Sequence, residues 1–219
     1  MSDHPSELAP FVPRARRLFD LDADPGAVEG HLRTDPILLP LVEARPGLRI
    51  PGAWDGFETT VRAVLGQQVS VGAATTLASR LVRLAGEPVA ASGAGTHLFP
   101  TPEALVDTDL AGIGMPGARI RTIRELAAQV RDGDVVLDGS AGHEETAAAL
   151  ARIPGIGPWT VAYVGMRVLR DHDAFPSTDL GVRRALERLG IGRAEIPARA
   201  EAWRPWRGYA AMHLWASLG

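Results

Sequence analysis

The segment Ile153-Pro154-Gly155-Ile156-Gly157-Pro158-Trp159-Thr160 leaves the backbone fewer choices than any other stretch of this 219-residue chain. Upstream, Glu144 to Arg152 is alanine-rich and amphipathic, and Pro154-Gly155 ends it, because proline cannot extend a helix and glycine accepts left-handed dihedrals. Gly157 then suits an N-cap. Pro158 has the fixed φ and missing donor that fit a first helical position, and Trp159 to Arg170 carries apolar residues at helical spacing. The spacing predicts helix, glycine hairpin, helix.

Such a turn has chemistry of its own. The N–H groups that open the second helix lack partners within it and, with the positive end of the dipole, can bind a phosphate oxygen. The glycines allow a nucleic-acid backbone to come close without a Cβ in the way, and no basic side chain is required. A bare G-x-G is more often an ordinary connection between packed helices. The full P-G-I-G-P-W-T, continued by a Gly/Pro-containing loop and Asp179, is far more specific.

It resembles the helix-hairpin-helix element shared by many DNA polymerases, ligases and repair enzymes. With the loop and the aspartate it is similar to the helix-hairpin-helix, Gly/Pro, Asp (HhH-GPD) superfamily of DNA glycosylases, and within it to the bacterial 3-methyladenine DNA glycosylase II (AlkA) type. Three more stretches carry the narrower likeness: Arg17-Leu18-Phe19-Asp20-Leu21; Arg45 to Gly52 running into Val61-Arg62-Ala63-Val64-Leu65-Gly66-Gln67-Gln68-Val69-Ser70-Val71; and Trp203 to Ala210 with His213 and Trp215. Together with the hairpin they cover most of the chain from Arg17 to Trp215.

Composition agrees, with one awkward point. At 46% hydrophobic residues the chain can bury a proper core, and no run approaches the roughly 20 apolar residues that span a bilayer. Without cysteine there are no disulfides, thiolate nucleophiles, Cys-ligated zinc or iron–sulfur cluster, and no cofactor is expected. The awkward point is a formal net charge of −3, which bulk attraction to phosphate does not predict. Local distribution must supply it: Arg119, Arg121 and Arg124, then Arg183, Arg184, Arg204 and Arg207, form basic runs that could flank a groove, although solvated faces are the commoner role of single arginines.

All the basic residues are arginine, for the sequence has no lysine. Bifunctional members of the superfamily use a hairpin lysine as an amine nucleophile, and the matching position here is Trp159. The resemblance therefore implies a monofunctional enzyme, with water as nucleophile and an abasic site as product.

The fold is expected to be all-α. Residues 1–13 read as a loose lead-in. Asp24-Pro25 and Asp35-Pro36 read as caps opening helices near 25–33 and 36–44, followed by helices near 56–67, 70–85, 101–111, 118–131, 144–152, 158–170 and 179–189, with a last one opening at Pro205. Residues 86–100 are the longest expected loop, and 134–139 could be extended. By resemblance the helices form two lobes with the active-site cleft between them: 14–55 with 172–219 as one, 56–171 with the hairpin as the other. The family's leading β-rich domain is expected to have no counterpart, the chain being either a short member or a piece of a longer protein.

The resemblance also assigns the site. Breaking an N-glycosidic bond develops positive charge on the deoxyribose, and a nearby carboxylate, Asp179, stabilises that charge and helps to position water. Ser177-Thr178-Asp179 is also an ordinary capping sequence, and the two roles are compatible. Asp171 and Asp173 are rivals that do not match the family position. Trp159 and Tyr163, at i and i+4, share a helix face, and the resemblance adds Trp215 to a pocket in which a cationic alkylated purine would stack. Gly155, Gly157 and Thr160 would meet the DNA backbone. Gln68 would fill the gap left by the flipped base, where some relatives carry an apolar wedge. The backbone carbonyls of Ala151, Ile153 and Ile156 would hold a monovalent cation. Leu180 stands where better-known relatives have an aromatic.

Double-stranded DNA containing damaged bases is the implied partner, for a monomer in the bacterial cytoplasm. A non-catalytic helix-hairpin-helix module, or an enzyme for oxidised, deaminated or mismatched bases, are the other readings.

Overall fold

The computed structural model describes residues 9, 11–89 and 96–219. Among them the fold is all-α: the only β-type pairing is an isolated antiparallel bridge, Pro88 with His97, at the edges of the expected long loop, whose residues 90–95 lie outside the described residues. No described helix is long and apolar enough to cross a membrane. The chain divides into two compact units, residues 1–54 with 165–219, and residues 55–164.

The first unit begins with α1 (Phe11–Leu18), which takes in residues expected as lead-in; residues 1–8 and 10 lie outside the described residues. Next come α2 (Pro25–Leu32), capped by Asp24 Oδ1 accepting from Gly26 N at 2.8 Å, and α3 (Leu39–Ala44). Asp35 does not cap α3 as its sequence context suggests. Its carboxylate, buried, accepts from Ile37 N, Arg199 Nη2 and Trp203 Nε1, each at 2.8 Å, so tertiary donors hold it and the helix opens later, after Leu38. The C-terminal part supplies α10 (Leu180–Arg188), α11 (Ile196–Glu201) and α12 (Arg207–Ala216), and α12 packs on α10 and α3. α11 is not expected from the sequence, and α12 opens at Arg207 rather than Pro205.

Trp203 and Tyr209 are among the largest fully buried side chains, which makes them part of this core. Asp20 lies beside Tyr209 at 2% exposure. Burial opposes its charge, but hydrogen bonds with His172 Nε2 at 3.1 Å and from the Tyr209 hydroxyl outweigh it, and the carboxyl is held below its usual range. The same burial and the facing carboxylate push the Tyr209 phenol up.

The second unit holds α4 (Gly56–Leu65), α5 (Val71–Ala85), α6 (Pro102–Asp107), α7 (Gly117–Arg131), α8 (His143–Ala151) and the start of α9 (Pro158–Arg167). Side-chain caps open three of them: Asp55 Oδ1 accepts Glu58 N at 2.7 Å, Ser70 Oγ accepts Ala73 N at 3.2 Å, and Thr101 Oγ1 accepts Ala104 N at 3.3 Å. Each such cap is worth about 1 kcal/mol. The core joins Val61, Val64 and Leu65 of α4, Leu105 of α6 and Ile123 and Leu126 of α7, all essentially without exposure. Residues 134–139 form no strand. The second boundary falls inside α9, ahead of the expected 171, because Gly165 is bound to the loop after that helix: its carbonyl accepts Asp171 N at 2.9 Å, and it packs on Ala174.

Candidate active site

The hairpin between α8 and α9 is built by its neighbours as much as by its own residues. Gly155 has φ +91, and a Cβ there would lie 2.1 Å from Thr122 Oγ1, a hydroxyl that donates to the Pro154 carbonyl at 2.7 Å. Only glycine fits at this position, for conformational and steric reasons together. Gly157 is different: a Cβ there would meet nothing within 4 Å, so its bareness leaves open space. Thr160, expected to touch DNA, is 1% exposed, and its Oγ1 accepts from Gln67 Nε2 at 2.9 Å. As the third residue of α9 it can offer a ligand its backbone N–H, not its side chain.

Gln67 is a partner of the hairpin that sequence reasoning missed. Its side-chain amide also donates to the Gly155 carbonyl at 3.0 Å, and its own carbonyl accepts Arg119 Nη2 at 2.6 Å. The loop between α4 and α5 is thereby tied to the hairpin. Gln68, next in that loop, is exposed and adopts φ +58, a left-handed conformation that few non-glycine residues take. Val69 beside it is 37% exposed and Val71 85%.

On α9, Trp159 and Tyr163 stack with ring centroids 5.3 Å apart and planes 20° from parallel, as expected for aromatic residues at i and i+4. The carbonyl of Ile153 accepts Ile156 N at 3.0 Å, which leaves it a second lone pair.

In the first unit, Asp179 is the N-cap of α10. Its Oδ1 accepts the N–H of Val182 at 2.9 Å and the indole N–H of Trp215 at 2.7 Å. The sequence suggests Trp215 only as a pocket wall; the structure makes it a hydrogen-bond donor to the candidate catalytic carboxylate. The rival acids are otherwise engaged. Asp173 receives Arg207 through Nε and Nη2 at 2.8 and 3.0 Å, and Arg204 Nη1 at 2.9 Å; Asp171 Oδ1 accepts Asp173 N at 2.9 Å. Those ion pairs also remove Arg204 and Arg207 from the expected basic rim. Arg119, Arg124 and Arg183 donate to main-chain carbonyls, whereas Arg121 and Arg184 are exposed.

A family model described as HhH-GPD superfamily base excision DNA repair protein matches residues 61–207, and one described as AlkA N-terminal domain matches residues 1–55. The second match falls on a range whose described residues form α1 to α3, with no strand among them. The chain is 46% identical over 215 residues to a Mycobacterium tuberculosis protein named probable bifunctional transcriptional activator/DNA repair enzyme AlkA, covering 97% of this chain and 43% of that protein. It is 36% identical over 215 residues to DNA-3-methyladenine glycosylase 2 of Escherichia coli, covering 96% and 73%. Among solved structures, MBOgg1 in complex with a low-affinity DNA ligand superposes with a TM-score of 0.81 at 26% identity, over 97% of this chain and 75% of that one. The chain thus spans less than half the length of the mycobacterial relative and most of the other two.

Proposed function

We propose that this chain, which belongs to the HhH-GPD superfamily of base excision DNA repair proteins, is a monofunctional DNA glycosylase that removes alkylated bases such as 3-methyladenine and 7-methylguanine from double-stranded DNA. The observation that carries the reading is Asp179 at the head of α10, with its carboxylate held by a backbone N–H and by the Trp215 indole. The E. coli relative, named a 3-methyladenine glycosylase, supports the substrate class.

In this mechanism a DNA phosphate is bound by the N–H groups that open α9, beside the open space at Gly157. The carbonyls of Ala151, Ile153 and Ile156 are neutral oxygen donors that would suit a monovalent cation, whose positive charge would favour an anionic phosphate. Gln68 enters the duplex as the damaged nucleotide leaves it. The target base is read by the Trp159 and Tyr163 rings, whose electron-rich faces its positive charge favours. Charge on the base already weakens the glycosidic bond. As the bond breaks, Asp179 stabilises the developing oxocarbenium ion and orients the water that attacks the sugar. Trp159 occupies the hairpin position that lyases fill with lysine, so the product is an abasic site in an unbroken strand.

Incubation with randomly methylated duplex DNA, followed by mass analysis of released bases, tests the proposal. Free 3-methyladenine and 7-methylguanine are expected. Tight DNA binding with no base release would instead make the chain a non-catalytic helix-hairpin-helix module, and release of only oxidised or deaminated bases would overturn the substrate class.

A further inference from the structure

The second residue of α10 is Gly181. Glycine weakens a helix relative to alanine, and Gly181 lies within the helix, outside the positive-φ region that glycine alone favours. What glycine provides here is space. A Cβ at this position would sit 2.9 Å from Trp215 Cδ1, 3.0 Å from Asp179 Oδ1 and 3.2 Å from Trp215 Nε1. The first distance is shorter than real Cβ contacts, so a methyl group would force the indole or the carboxylate to move. The atoms it would meet belong to the two groups joined by the 2.7 Å hydrogen bond.

We propose that Gly181 is a positioning residue for base excision: the missing side chain lets the Trp215 indole seat against the first turn of α10 and deliver its N–H to Asp179. The inference rests on the reading of Asp179 as the catalytic carboxylate. Two donors on Oδ1, the N–H of Val182 from within the helix and the indole from α12, fix the plane of that carboxylate. Charge stabilisation at the sugar depends on where the carboxylate points, and a misplacement of about 1 Å can cost on the order of 100-fold in rate. Helix stability is thus given up at one residue for the aim of another.

Gly181→Ala should lower kcat for 3-methyladenine release at least 10-fold while KM for methylated duplex changes less than about threefold, and it should shift the indole N–H resonance of Trp215. Trp215→Phe, which removes the donor without adding a methyl group, should lower kcat comparably. Adding Gly181→Ala to Trp215→Phe should then cost less than about twofold more, because coupled residues are not additive. A Gly181→Ala enzyme with wild-type kcat, or one whose loss is undiminished in the Trp215→Phe background, overturns the positioning role. Asp179→Asn separates the two levels. Its inactivity beside an unimpaired Gly181→Ala defeats this inference alone, whereas retained activity in Asp179→Asn defeats the catalytic reading beneath it.

Discussion

The side-chain amide of Gln67 donates to the carbonyl of Gly155 at 3.0 Å, joining the loop that precedes α5 to the hairpin that precedes α9. The second bond, to Thr160, and the Arg119 contact to the Gln67 carbonyl make the junction three-way. The residue proposed to probe the duplex and the turn proposed to hold its backbone therefore belong to one piece. Gln67→Ala should cost about 1–3 kcal/mol of stability in urea denaturation, from two net hydrogen bonds. It should also weaken binding to damaged and undamaged duplex by similar factors. Unchanged stability and binding would show that the bridge holds nothing of consequence.

Gly155 and Gly157 should separate under substitution. Gly155→Ala strains a positive φ and drives a methyl group into Thr122, so lowered thermal stability is expected before any question of DNA arises. Gly157→Val adds bulk where the structure leaves room, and should lower affinity for any duplex while the melting temperature stays close to wild type. Should Gly157→Val bind undamaged DNA normally and fail only on damaged DNA, the hairpin would belong to base recognition instead.

Local signals were legible in the sequence, and distant ones were not. Ser70, Thr101, Asp55 and the Gly157-Pro158 pair encode helix starts within a few residues, and the helices open there. Asp35-Pro36 carries the same signal, yet Arg199 and Trp203, which claim the carboxylate, lie more than 160 residues away. The Trp215 to Asp179 bond and the Gln67 bridge are likewise long-range, so spacing could nominate Asp179 and Trp215 separately but not their relation. Thr160 was half legible: its place in the motif suggests a ligand contact, while burial commits its side chain to the hairpin's own structure. Arg204 and Arg207 looked like a basic surface for want of any sign that Asp173 would fold against them.

The stacked pair on α9 makes a prediction about charge. If Trp159 and Tyr163 select electron-poor purines, removing the Tyr163 ring should lower excision of cationic 7-methylguanine by a larger factor than excision of a neutral lesion such as hypoxanthine. Equal factors in single-turnover assays on both substrates would reduce the pair to structural support.

His213 sets a pH dependence apart from catalysis. Burial holds its imidazole below the ordinary value of 6.5, against a hydrogen bond with the Leu41 backbone and the pull of Glu29 and with a push from Arg45, and its buried Nδ1 has no hydrogen-bond partner among the described residues. The unfolded chain therefore takes up a proton at a pH where the folded chain does not. The stabilisation is fully present above pH 6.5 and is lost as the pH falls from there through the lower folded value. Urea midpoints should decline below pH 6.5, and His213→Gln should flatten that decline. A midpoint that stays level between about pH 7 and 5 in the parent protein would contradict the assignment.

The absence of lysine gives the strictest test. Strand cleavage by a lyase of this superfamily begins with an amine attacking C1′ of the sugar to form a Schiff base, which borohydride reduces to a stable protein–DNA bond. Here the matching hairpin position is Trp159, and none of the 219 residues carries a side-chain primary amine. Arginine cannot take the part, because its guanidinium stays protonated at any working pH. With water as nucleophile, no covalent adduct forms and the phosphodiester stays intact. Borohydride added during turnover on methylated duplex should trap no complex, and the DNA should remain full length until alkali or an abasic endonuclease is supplied. Besides side chains, these 219 residues offer only an α-amino group, so the assay is repeated with that amine blocked by reductive dimethylation. Trapping that keeps pace with base release in the blocked protein would eliminate the water mechanism.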